Sequence, residues 1–171
     1  MNMTIKDFCK KHHACKDGVD WALENCETMN DVFDTAKPDW LIWVATRSGV
    51  LSDKDLRLFA CWCVRRVWHL LTDERSKNAV IVAEKYAVGE ATKKELTVAH
   101  AAAAFAAYSS AALANDAACA AAYSAAADAA NAAASSAAFA YAASSAADTK
   151  KVQAKYLRDN CEPDFEILKD K

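Results

Sequence analysis

Residues Leu56–Leu71 read LRLFACWCVRRVWHLL. At the helical step of about 100° per residue, Leu56, Phe59, Ala60, Cys63, Val67, Leu70 and Leu71 gather on one face. The opposite face holds Leu58, Cys61, Trp62, Arg65, Trp68 and His69, with Arg66 at its margin. A helix apolar on nearly every side belongs in the middle of a bundle. Ser52 and Asp55 supply its opening, and the spacing predicts one helix running through to Leu71.

Outward from this segment the punctuation is helical too. Toward the N-terminus, Pro38 suits the first turn of DWLIWVATRSG, which Gly49 would stop at its C′ position. Thr28 caps a segment with Met29, Val32 and Phe33 as its apolar stripe. A short helix after Asp17-Gly18 carries Val19, Trp21, Ala22, Leu23 and Cys26, and Thr4 with Asp7 opens a first helix ending near Ala14. Toward the C-terminus, Asp73 begins a helix through Val80, Val82, Ala83 and Tyr86 with Gly89 as its stop. Thr92 and Glu95 make a capping box for the next one. Three glycines and two prolines in 171 residues are too few turn formers for a β domain. The expectation is an all-α compact bundle in one domain, residues 1–171. It would comprise short helices over 1–90, an alanine-rich hairpin or bundle over 91–160, and a tail over 161–171.

From Ala99 to Ala147 roughly three-fifths of the residues are alanine, the strongest helix former. A single helix of that length would be about 70 Å long. Breaks are expected near Ala114-Asn115-Asp116 and Ser135-Ser136, where short polar side chains can cap a new start. Alanine faces allow close approach but bury little, so Phe105, Tyr108, Tyr123, Phe139 and Tyr141 would anchor the packing. An ice-binding helix is disfavoured because regularly spaced threonines are missing. The smooth alanine faces also suit packing against a second copy, as a homo-oligomer.

A net charge of -2 and a pI near 6.1 give no basic field for nucleic acid. The opening MNMTIKDFCKKHH lacks the apolar core of a signal peptide, and the alanine tract is too weakly hydrophobic for a membrane span. The expected setting is cytoplasmic, where seven cysteines serve mainly as small buried apolar residues. P-loop, dinucleotide, G-x-S-x-G and H-E-x-x-H patterns are lacking, so neither a catalytic residue nor a cofactor is expected.

The run TAKPDWLIWVATRSGVLSDKDLRLFACWCVRRVWHLLTDERSKNAVIVAEKYAVGEAT, followed by alanine-rich helices, resembles a helical family of immunity proteins found in bacterial and phage genomes. HHACKDGVDWAL near the N-terminus has a matching pattern. The resemblance implies a non-enzymatic protein that binds and neutralises a bacterial protein target, either a toxin or a defence component. It brings no active-site motif with it.

Two constellations remain. In CKKHHAC, a helix over 4–14 would set Cys9, His12 and His13 on one side, with Cys15 or Cys26 to complete a zinc tetrahedron. A second ligand pair at recognisable spacing is missing, and Lys10 and Lys11 mark a solvated segment, so surface histidines are the favoured reading. The face with Trp62, Arg65, Arg66, Trp68 and His69 combines aromatics and guanidinium forks of the kind enriched at interface hot spots. Its plain alternative is a core helix whose arginines pair with Asp73, Glu74 or Glu84. Trp40 and Trp43 read as core. A competing function is sequestration of an anionic nucleotide signal, with Arg47, Arg57, Arg65 and Arg66 as phosphate ligands.

Overall fold

The computed structural model describes residues 3–66, 68–71, 73–109 and 147–166. Among these the chain is all-α: α1 (Ile5–Lys11), α2 (Lys16–Asn25), α3 (Met29–Thr35), α4 (Pro38–Ala45), α5 (Asp53–Arg66), a 3-10 turn (Trp68–Leu70), α6 (Glu74–Ala87), α7 (Lys93–Ser109) and α8 (Ala147–Asn160). The expected breaks of the alanine tract and its aromatic anchors lie outside the described residues. Two compact units form. One comprises residues up to Ser52 together with Lys150 onward, and the other runs from Asp53 to Thr149. These boundaries differ from the division near residue 90 that composition suggests.

Helix starts follow the side-chain chemistry. Thr28 and Asp31 make a reciprocal capping box at α3, each satisfying the other's backbone N–H. Thr92 and Glu95 repeat it at α7, with Thr92 N donating to Glu95 Oε2 at 2.7 Å and Glu95 N to Thr92 Oγ1 at 3.2 Å. Asp73 caps α6 by accepting from the backbone N–H groups of Arg75 and Ser76. α4 begins on Pro38 as expected but ends at Ala45, before Gly49. The Thr46 hydroxyl donates to Ile42 O, and Arg47 Nε donates to Trp43 O, so side chains take the last carbonyls early. Gly49 then takes a φ of +84° in the turn that follows.

In the first unit the C-terminal segment is structural. Phe165 is buried and meets both Phe8 and Phe33 edge-on, at centroid distances of 5.9 and 6.4 Å. Backbone bonds hold it on either side: Met3 N donates to Phe165 O, and Asp164 N to Val50 O. From α8, Arg158 donates to Phe33 O and Ala36 O, two orphan carbonyls at the end of α3. Lys150 Nζ lies 2.7 Å from Asp39 Oδ1, within ion-pair distance though not aligned as a hydrogen bond. Gly18 sits where an added Cβ would come within 3.3 Å of Cys15 Sγ and 3.7 Å of Trp40 Nε1. Its bare backbone lets the start of α2 approach Trp40, whose ring tilts against Trp21.

In the second unit α6 packs on both α5 and α7. Its buried Ser76, Ala79, Val80 and Ala83 form a narrow face. Cys61 and Val64 of α5 meet Val80 and Ala83, with Leu71 and Leu96 completing the cluster. Ala79 meets Ala99 and Ala103 of α7 in a second, close-packed cluster. Among the described residues, no helix is long and apolar enough to cross a membrane.

Replacing Phe165 with Ala should cost on the order of 3 kcal/mol by leaving a cavity between Phe8 and Phe33, read as a lowered urea midpoint. Asp73 is held down to about 2, first by the Arg75 guanidinium and then by the backbone N–H groups it caps. Its carboxylate therefore stabilises the fold fully above about pH 4, its unfolded range, and that contribution is lost as the pH falls toward 2. Asp73→Asn should keep most of the cap yet flatten this acid limb in a series of thermal melts, whereas Asp73→Ala should lose about 1 kcal/mol at neutral pH.

Candidate binding surface

The C-terminal half of α5 is divided by its contact with α6. Cys61 and Val64 turn inward, while Trp62 stays half-buried and Arg65 and Arg66 are exposed. Burial pushes the Cys61 thiol up to about 12, and its Sγ lies 3.9 Å from Val80 O, so it is a packed, protonated group. Phe59, Trp62 and Arg66 follow at i, i+3 and i+7. The Phe59 and Trp62 rings stack 6.3 Å apart at 18°, and the Arg66 guanidinium lies over Trp62 at 5.4 Å.

Arg65 makes a two-pronged bond to Glu84, with Nε to Oε1 at 2.9 Å and Nη2 to Oε2 at 2.6 Å. The same guanidinium lies 4.0 Å from the Trp68 ring centroid. Glu84 is one of the three acids that the sequence offers as partners. Asp73 instead pairs with Arg75, and Glu74 with Lys77. Among the described residues, no carboxylate lies within ion-pairing distance of Arg66.

A single helix through Leu71 does not form: α5 spans Asp53–Arg66, and Trp68 and His69 belong to a 3-10 turn closed by Leu71 N donating to Trp68 O. The turn lets Leu71 enter the Cys61–Val64–Val80 cluster, a gain in burial that the straight helix had no means of showing in sequence. Trp62, Arg65 and Arg66 thus lie on the helix, Trp68 is half-buried beside Arg65, and His69 is exposed on the turn.

The other two arginines do not fit a solvent-facing phosphate site. Arg57 is only 5% exposed and sits over the Tyr86 ring at 5.2 Å. Arg47 belongs to the first unit, where it bonds Trp43 O and Thr46 Oγ1 and covers the Trp43 ring. Trp43 also meets Phe8 edge-on at 6.1 Å but, like Trp40, is only half-buried.

CKKHHAC does not continue as helix to Ala14. α1 ends at Lys11, and His13 takes a φ of +54°. Ala14 N donates to Cys9 O at 2.9 Å, and His13 N approaches Lys10 O at 3.5 Å, the two bonds of a Schellman C-cap. α6 ends in the same way, with Glu90 N to Lys85 O and Gly89 N to Tyr86 O, and there glycine holds the left-handed position. The helical premise for a Cys9–His12–His13 ligand face therefore fails. Among the described residues, no three His, Cys, Asp or Glu side chains are grouped to hold a metal. The His12 ring instead lies tilted against Phe8 at 4.6 Å, and burial, then Lys11, lowers its pKa and favours the neutral ring.

His13→Gly should relieve the left-handed cost of about 1–2 kcal/mol, partly offset by the freer unfolded chain, for a net gain of up to about 1 kcal/mol. Calorimetry should show the melting temperature rise by roughly 2–4 °C; a fall would mean the imidazole itself holds the turn. In comparisons with known proteins, no family model, no curated protein and no solved structure matches the chain.

Proposed function

We propose that this chain is a non-enzymatic inhibitory protein of immunity or anti-defence type, acting in the bacterial or phage-infected cytoplasm. It would mask a toxin or a bacterial defence protein by direct contact through Trp62, Arg66, Trp68 and His69. Arg66 carries the reading: an exposed guanidinium held over a half-buried tryptophan, with no carboxylate partner among the described residues. An anchor held this way loses little rotamer freedom when a partner arrives. Arginine and tryptophan are also the residue types that dominate interface energetics. The bidentate Arg65–Glu84 pair braces the same end of α5, so the surface is stiff before binding. The resemblance of Thr35–Thr92 to immunity proteins points the same way.

Sequestration of an anionic nucleotide signal asks more of these residues. Arg47 and Arg57 are held by neighbours in their own units, and Arg65 would have to leave Glu84. A homo-oligomer built through the alanine helices would involve residues outside those described.

The test compares wild type with Trp62→Ala and Arg66→Ala as affinity baits in bacterial lysate, scored by quantitative mass spectrometry. One host protein should be retained by wild type and depleted at least about tenfold by each variant, the loss expected for a contact of about 1.4 kcal/mol. Thermal melts of the variants should stay within a few degrees of wild type. Equal retention by all three would remove this surface, and nucleotide-dependent thermal stabilisation of wild type would favour sequestration instead.

A further inference from the structure

We propose that Cys9 and Cys15 form a dithiol site that closes reversibly to a disulfide on meeting a small-molecule disulfide of the glutathione type. The Schellman turn is what brings the two residues together. Cys9 lies in the last turn of α1, and Cys15 is the N-cap of α2. Ala14, the residue before Cys15, donates its N–H to the carbonyl of Cys9 itself at 2.9 Å, so the chain doubles back on the first cysteine just before it reaches the second. α1 and α2 then pack against each other.

Exposure divides the roles. Cys15 is exposed and Cys9 half-buried. The proton affinity of Cys9 is raised first by burial and then by the field of the Cys15 thiolate. Other described cysteines are placed differently: Cys26 Sγ lies 3.6 Å from Thr35 Oγ1, and Cys61, Cys63 and Cys161 are buried. Exposed Lys10 and Lys11 line the turn and would attract an anionic disulfide.

The chemistry balances in two exchanges. The Cys15 thiolate attacks one sulfur of the reagent disulfide, forming a mixed disulfide and expelling one reagent thiolate. Cys9, after giving its proton to solvent, attacks Cys15 Sγ, forming the Cys9–Cys15 bond and expelling the second reagent thiolate. The two protein thiols lose two electrons and two protons, and the reagent is reduced to two thiols. Excess dithiol reverses both steps.

The full-length reduced chain is treated at neutral pH with oxidised glutathione, quenched with acid and read by intact mass and non-reducing peptide mapping. Wild type should lose the mass of two hydrogens and yield a linked peptide joining Cys9 to Cys15. Cys9→Ser should stop at one glutathione on Cys15, while Cys15→Ser should leave Cys9 unmodified over the same exposure. Far-UV circular dichroism of both variants should match wild type. A persistent glutathione adduct on wild-type Cys15, or closure onto any other cysteine, would overturn the proposal.

Discussion

The second unit depends on the narrow face of α6. Ser76, Ala79, Val80 and Ala83 present so little side chain that α5 and α7 both come close to its backbone. Small side chains bury little area each, and the attraction comes from dense contact along the whole face. Leu71, Leu96, Trp68 and Tyr86 close the margins where alanine alone would leave gaps. One consequence reaches the surface. Cys61 meets Val80, and one turn further along each helix Arg65 meets Glu84, so packing at the core fixes the ion pair at the rim. Exposed ion pairs contribute only about 0–1 kcal/mol, and this one matters more for holding Arg65 against Trp68 than for stability.

Much of the fold was legible because helix ends are local events. Thr28, Asp73 and Thr92 announce starts through a hydroxyl or carboxylate within reach of backbone N–H groups two or three residues on. Gly89 announces a stop by its tolerance of positive φ. Where a side chain does unusual work, that grammar misleads. His13 occupies a position normally taken by glycine, and Thr46 with Arg47 ends α4 before its glycine is reached. Long-range placement was not legible. Neither the docking of Phe165 between Phe8 and Phe33 nor the capping of α3 by Arg158 leaves a trace in periodicity.

The candidate surface was half legible for the same reasons. Residue types identified Trp62, Arg65 and Arg66, and the spacing placed them on one side of α5. Burial of Arg57 over Tyr86 and the 3-10 turn that brings Leu71 into the core depend on contacts with α6, which a single helical wheel cannot supply. The structure sorts like residues by partner: Arg65 is satisfied by Glu84, whereas Arg66 rests on an aromatic face with its donors turned to no described carboxylate. Such sorting, rather than a count of arginines, singles out one residue as an anchor for a partner.

The most direct measurement is site-specific photo-crosslinking in bacterial lysate. A photoreactive amino acid replaces either His69, exposed beside the proposed anchors, or Val98, 63% exposed on α7. One dominant host adduct is expected from position 69 and is absent from position 98. The same adducts in equal yield from both positions, or none from position 69, would contradict it.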